Sequence, residues 1–198
     1  MSELDEAVAR EVAERFLAAP SSSSDPLAAR AYAALATESD RTLQMLTEDG
    51  SPASVRVVFT RCREPYSSDL EMIDAVRSTR LLEITASRAE RDRPHPALSN
   101  EPGGAYDRFR AVHDLVGHVR HGFGFDRHGE FAAWQLQDRM HSPLARLALA
   151  TELHAEHSVR WTTGTVAEHK ATLLDRDLLS RARTGTRRST TDRHRPAP

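Results

Sequence analysis

Apolar residues four apart at Leu4, Val8, Val12 and Phe16 predict an amphipathic helix over residues 3–18, with Ser2 as its N-cap. The small polar run 21–24 has nothing to pack and reads as a linker. Asp25-Pro26, a cap followed by a first-turn proline, opens a second helix that carries Leu27, Ala31, Leu35, Leu43 and Leu46 to a stop at Gly50. The period then shortens: Val55, Val57 and Phe59 alternate and predict a strand over 54–60. A Ser68/Glu71 capping box starts a helix carrying Leu70, Ile73 and Val76, and Leu81–Thr85 predicts a second strand. This β-α-β order implies a small parallel pair within a helical protein.

Residues 86–104 form a long loop rich in Arg, Pro, Ser and Gly, a length that is uncommon without a functional reason. Helices follow at 105–121, 129–140, 143–158 and 166–181, the third opened by Ser142-Pro143 and the fourth by a Thr165/Glu168 box. From 181 to 198 the chain is arginine-rich with no apolar period, which predicts a disordered basic tail, read as a solvated terminus rather than a nucleic-acid contact. The expected fold is mainly α (α+β with a minor two-stranded element): one compact helical metal-binding domain over 1–180, then the tail.

Composition narrows the function classes. The net charge of -2 gives no pull toward nucleic acid or a membrane surface, and no apolar run approaches the ~20 residues of a bilayer span. The acidic start lacks the order of a signal peptide, so a cytoplasmic location is expected. A single cysteine, Cys62, excludes an internal disulfide and a thiolate-rich zinc site. Histidine changes the picture: there are 10, most of them between His113 and His169.

His113 and His118 flank Asp114-Leu115-Val116-Gly117. On a regular helix, positions five apart point about 140° away from each other. A shared ion therefore requires the helix to end, bend or form a π-type turn near 114–118, and Gly117 is a place for it. His113 also lies on the apolar stripe of Phe109, Val112 and Val116, so a hydrogen-bonded core histidine is the plain alternative. A third ligand is offered by the 143–158 helix, which is apolar nearly all round and carries Glu152 with no Lys or Arg three or four positions away. A buried carboxylate of that kind takes up a proton, finds a hydrogen bond or binds a cation. Two histidines and one carboxylate are the set used by non-heme iron(II) oxygenases, and zinc hydrolases can use it too.

The run His113-Asp114-Leu115-Val116-Gly117-His118-Val119 resembles the iron-binding motif of the aromatic amino acid hydroxylases, His-Asp/Glu-x-x-Gly-His-Val. That family's third ligand is a later glutamate preceded by a threonine and one more residue; Thr151-Glu152 stands at a similar distance without the intervening residue. The resemblance implies His113, His118 and Glu152 as ligands of Fe(2+), and use of O2. It extends to no pterin-binding segment, so the electron-donating cosubstrate is left open. The stretch 109–152 also resembles uncharacterised small proteins of actinobacteria and phages.

Further candidates accompany the set. Glu130, after the glycines at 122, 124 and 129, is an acid/base or alternative ligand, or else a first-turn glutamate serving the helix dipole. His157 and Glu156 are groups that could orient the ligands, or exposed polar residues at a helix end. Trp134 and Trp161 read as core. The expectation is a mononuclear non-heme iron(II) oxygenase or hydroxylase, an oxidoreductase acting on a small molecule with Glu130 and His157 as catalytic candidates. One alternative is an HD-type metal-dependent phosphohydrolase using His113-Asp114 with His95 and Asp138 or Asp175. The other is a non-enzymatic helical adaptor.

Overall fold

A computed structural model describes residues 3–48, 54–87 and 94–185. Ser2, Gly50, residues 88–93 of the long loop and 186–198 of the tail lie outside the described residues. The fold is mainly α, with α1 (Glu6–Ala18), α2 (Pro26–Thr47), α3 (Asp69–Thr79), α4 (Ala105–His113), α5 (Arg127–Met140), α6 (Ala145–Leu149), α7 (Glu156–Thr163) and α8 (Arg176–Thr184). Two strands, β1 (Arg56–Thr60) and β2 (Leu81–Thr85), pair in parallel with Arg56 opposite Leu81 and Thr60 opposite Thr85. Among the described residues no helix is long and apolar enough to cross a membrane.

The caps follow from side-chain chemistry. Asp5 begins α1, accepting from the backbone N–H groups of Ala7 and Val8. Asp25 caps α2 with Pro26 in its first turn, and Ser68 caps α3 by accepting from Glu71 N–H. Two predicted helices change character. The chain from α4 continues as a π-segment over Asp114–Arg120, and α6 passes through a second π-segment, Ala150–Ala155, into α7. No helix starts at 166. The chain there is extended, because Ala171 bridges Ser22, exchanging bonds with Ser21 and Ser23, and the Lys170 ammonium donates to the carbonyls of Phe16, Leu17 and Ala19. Those contacts outweigh the Thr165/Glu168 box, and α8 starts at its own cap, Asp175, continuing through 181–184 where a tail was expected.

Two apolar cores lie on either side of the α4 helix and its π continuation. One gathers Phe16, Tyr32, Leu35, Phe109, Trp134 and Leu149 between α1, α2, α5 and α6. The other packs Met72, Val76, Leu82, Ile84, Leu115 and Val116 between α3, the sheet and the π-segment. Each large apolar side chain removed from water contributes about 1.5–3 kcal/mol. The π-segment is thus clamped along its length, and Gly117 is where α5 comes closest: a Cβ there would lie 2.8 Å from the Ala133 Cβ. A second close approach forms the entry to α5, where a Cβ on Gly129 would lie 2.1 Å from the Gly124 carbonyl oxygen.

Gly117→Val should therefore overpack the π-segment against α5 and lower stability by about 1–3 kcal/mol. Urea unfolding measures it; an unchanged midpoint would show that α5 can retreat at no cost.

Candidate metal centre

The π-segment solves the spacing problem set by the sequence. Bonding from i to i+5 stacks positions five apart, which an α-helix turns away from each other. His113 Nε2 and His118 Nε2 consequently lie 3.1 Å apart, with the rings edge to face at 89°. The Glu130 carboxylate completes a triangle: its Oε2 is 3.1 Å from His113 Nε2 and 3.7 Å from His118 Nε2. Atoms bound about 2.1 Å from one ion, at tetrahedral or octahedral angles, lie about 3.0–3.4 Å apart. Two of the three edges meet that separation, and the third, 3.7 Å between Glu130 Oε2 and His118 Nε2, is about 0.3 Å longer, so a shared ion requires the carboxylate to close slightly on His118.

Hydrogen bonds behind the ring nitrogens bear on the same question. His118 Nδ1–H donates to the Phe123 carbonyl at 2.7 Å, so Nε2 carries the bare lone pair a ligand needs. His113 Nδ1 lies 2.8 Å from the Gln137 amide nitrogen, while the buried Gln137 Oε1 has no partner. Turning that amide over puts Oε1 against Nδ1–H and frees the His113 Nε2 lone pair toward Glu130 and His118. The chain contains both outer contacts that metal-bound histidines use.

Electrostatics differ sharply across the group. Burial pushes the Glu130 carboxyl up, but the His113 hydrogen bond and the charges of His157, His113 and His118 outweigh it and hold Glu130 down at about 2. Burial alone would lower His113; the hydrogen bond and charge of Glu130 raise it instead. His118 is lowered by burial and by the neighbouring His113. His157, with Nδ1 3.3 Å from Glu130 Oε2, is lowered to about 4, chiefly by burial. It is therefore neutral at pH 7. Asp114 is raised by burial, and its carboxylate offers an oxygen within 4.8 Å of both histidine nitrogens.

The structure brings Glu130, rather than Glu152, to the two histidines. Glu130 is 8% exposed and does not serve the helix dipole from solvent; it stands in the first turn of α5, directly after the tight Gly124–Gly129 contact. Glu152 is buried as the sequence implies, but its Oε1 accepts from Tyr32 Oη at 2.8 Å and from His95 Nε2 at 3.0 Å. The second π-segment begins just before Glu152, so its direction is not the one a continuous α-helix would give. His95, uninformative in the sequence, is fixed from behind: its Nδ1 accepts from Ala97 N–H and Leu98 N–H. Glu156 meets His169, with Oε1 3.0 Å from Nδ1, and burial together with the Glu152 charge pushes it up to about 8. Asp138 is held by Arg183, and Asp175 caps α8, so neither joins His113-Asp114 through its observed contacts.

A cavity of about 180 Å³ is separated from the triangle by His157, which lines it and stands 3.3 Å from Glu130. Phe131, Leu153 and Trp161 supply apolar surface, Trp161 being half exposed rather than core. His154, stacked on Trp134 with ring centroids 4.3 Å apart, lines the same cavity with an unpartnered Nε2. Gln137 is the residue the sequence reading missed. Its spacing of seven from Glu130, two helical turns along one face, was the available signal.

Gln137→Leu should weaken divalent-metal binding 10–100-fold in competition with a chelator, whereas Gln137→Glu, which keeps an acceptor for Nδ1–H, should bind close to normally. Equal affinity in all three proteins would remove Gln137 from the site.

No family model, curated protein or solved structure matches the chain, so the chemistry of this centre follows from its own donor atoms.

Proposed function

We propose that the chain is a mononuclear non-heme iron(II) oxygenase acting on a small molecule, with His113, His118 and Glu130 as the ligands. The observation that carries this reading is the triangle of His113 Nε2, His118 Nε2 and Glu130 Oε2, with edges of 3.1, 3.1 and 3.7 Å. Two imidazoles and one carboxylate on one face leave other positions open. Iron held there supplies the redox capacity to use O2 on a C–H bond or heteroatom, two further electrons coming from the substrate or an electron-donating cosubstrate. The protein's part is positioning. Phe123 and Gln137 hold the two imidazoles, and the Ala133 methyl against Gly117 keeps α5 close to them. The cavity offers a place for a small molecule, and His157, which lines it and stands 3.3 Å from Glu130, is the side chain that links it to the ligands.

The phosphohydrolase reading keeps one observation in its favour, the Asp114 oxygen within 4.8 Å of both histidine nitrogens. In it Asp114 is a ligand and His118 a bystander. Single substitutions separate the two. After anaerobic purification with ferrous iron, the protein treated with nitric oxide should give the high-spin ferrous-nitrosyl resonance. His118→Ala and Glu130→Ala should abolish that signal, while Asp114→Asn should retain it. Loss with Asp114→Asn alone would support the hydrolase. No signal from the unaltered protein would sink the oxygenase, and oxygen uptake with candidate substrates follows only if it appears.

A further inference from the structure

Glu152, Glu156 and His169 each offer a donor atom within 4.8 Å of the others, and none takes part in the triangle of His113, His118 and Glu130. The three come from distant sources: Glu152 from the second π-segment, Glu156 from the start of α7, and His169 from the extended stretch that Lys170 and Ala171 pin to α1 and the linker. From these contacts we propose that Glu152, Glu156 and His169 form a second divalent-cation site. It does not depend on the oxygenase reading.

Three features support a cation over a merely hydrogen-bonded cluster. First, two carboxylates four residues apart are largely withdrawn from water; Glu152 is 4% exposed. Adjacent buried carboxylates repel each other, and the arrangement stands only if a proton or a positive ion is shared between them. Second, the hydrogen bonds to each carboxylate use one oxygen alone. Oε1 of Glu152 takes Tyr32 and His95, Oε1 of Glu156 takes His169, and neither Oε2 receives a bond among the described residues. The two Oε2 atoms are left over beside an imidazole nitrogen, with the Glu156 side chain only 15% exposed.

Third, outer groups hold the donors as such groups hold metal ligands elsewhere. With its Nδ1 occupied by two backbone N–H groups, His95 must carry its proton on Nε2 and donate it to Glu152. His169 is held from behind by the Tyr106 hydroxyl, 3.2 Å from Nε2. Its Nδ1 stands 3.0 Å from Glu156 Oε1, a separation that fits two ligands on one ion as well as a hydrogen bond. Two carboxylates with one imidazole suit manganese, iron(II) or zinc, and the nitrogen disfavours magnesium and calcium. Glu156 and His157 are consecutive, so one turn of α7 serves both centres.

Zinc is the probe. Equilibrium dialysis of the metal-free chain, followed by passage over a chelating resin, should leave two equivalents on the unaltered protein. Glu156→Gln and His169→Phe should each reduce this to one. His118→Ala should also leave one, and that remaining equivalent should vanish when Glu156→Gln is added. One equivalent on the unaltered protein that His118→Ala removes would overturn the second site and leave the first intact. One equivalent that survives His118→Ala but is lost with Glu156→Gln would support the second site and sink the first. Circular dichroism checks that each variant is folded; should both Glu156→Gln and His169→Phe unfold, the count on the unaltered protein still decides between one site and two.

Discussion

Everything at the centre depends on a change of backbone hydrogen bonding over Asp114–Arg120. An α-helix would hold the His113 and His118 rings on different faces, one toward each core. The i to i+5 arrangement puts their Nε2 atoms 3.1 Å apart, and the price is a wider, poorly filled turn that must be supported from outside. The support is visible on both sides: Leu115 and Val116 enter the core shared with the sheet, and α5 presses against Gly117. The same helix α5 brings Glu130 and Gln137 to the two imidazoles. Packing and chemistry are therefore set by one contact, which is why a single β-carbon at position 117 touches both.

The second π-segment does for Glu152, Glu156 and His157 what the first does for the histidines. It divides neighbouring side chains between two environments. Glu152 and Glu156 turn to Tyr32, His95 and His169, while His157 turns to Glu130. Neutral imidazole on one side and crowded carboxylates on the other give this short stretch two opposite electrostatic characters, expressed in the lowering of His157 to about 4 and the raising of Glu156 to about 8.

The sequence was legible where one element's own pattern decides its form. Caps at Asp25 and Ser68, the two alternating strands and their parallel pairing all follow from local residues, and the five-residue spacing of His113 and His118 demanded the irregularity that is found. It was illegible where partners come from afar. Glu152 reads as a third ligand because its helix is apolar nearly all round and offers it no Lys or Arg, but its neighbours, Tyr32 and His95, lie in α2 and the long loop, out of reach of any local pattern. Glu130 reads in the sequence as an acid/base or alternative ligand, or as a first-turn acid, and what decides between these is its contact with His113 and His118, on α4 and its π continuation. The helix expected over 166–181 failed for the same reason: its capping box competes with a bridge to Ser22 and an ammonium buried against α1.

Lys170 ties these distant parts together. Its ammonium satisfies three carbonyls at the end of the first helix, and its own carbonyl lies 2.8 Å from the Tyr32 hydroxyl that also reaches Glu152. The residue next to it is His169. The amino-terminal helix thus acts as a buckle for a loop more than 150 positions downstream, separated from Lys170 by 154 residues at Phe16. A chain shortened at its front would lose more than surface: the strap bearing His169 would have nothing to fasten to.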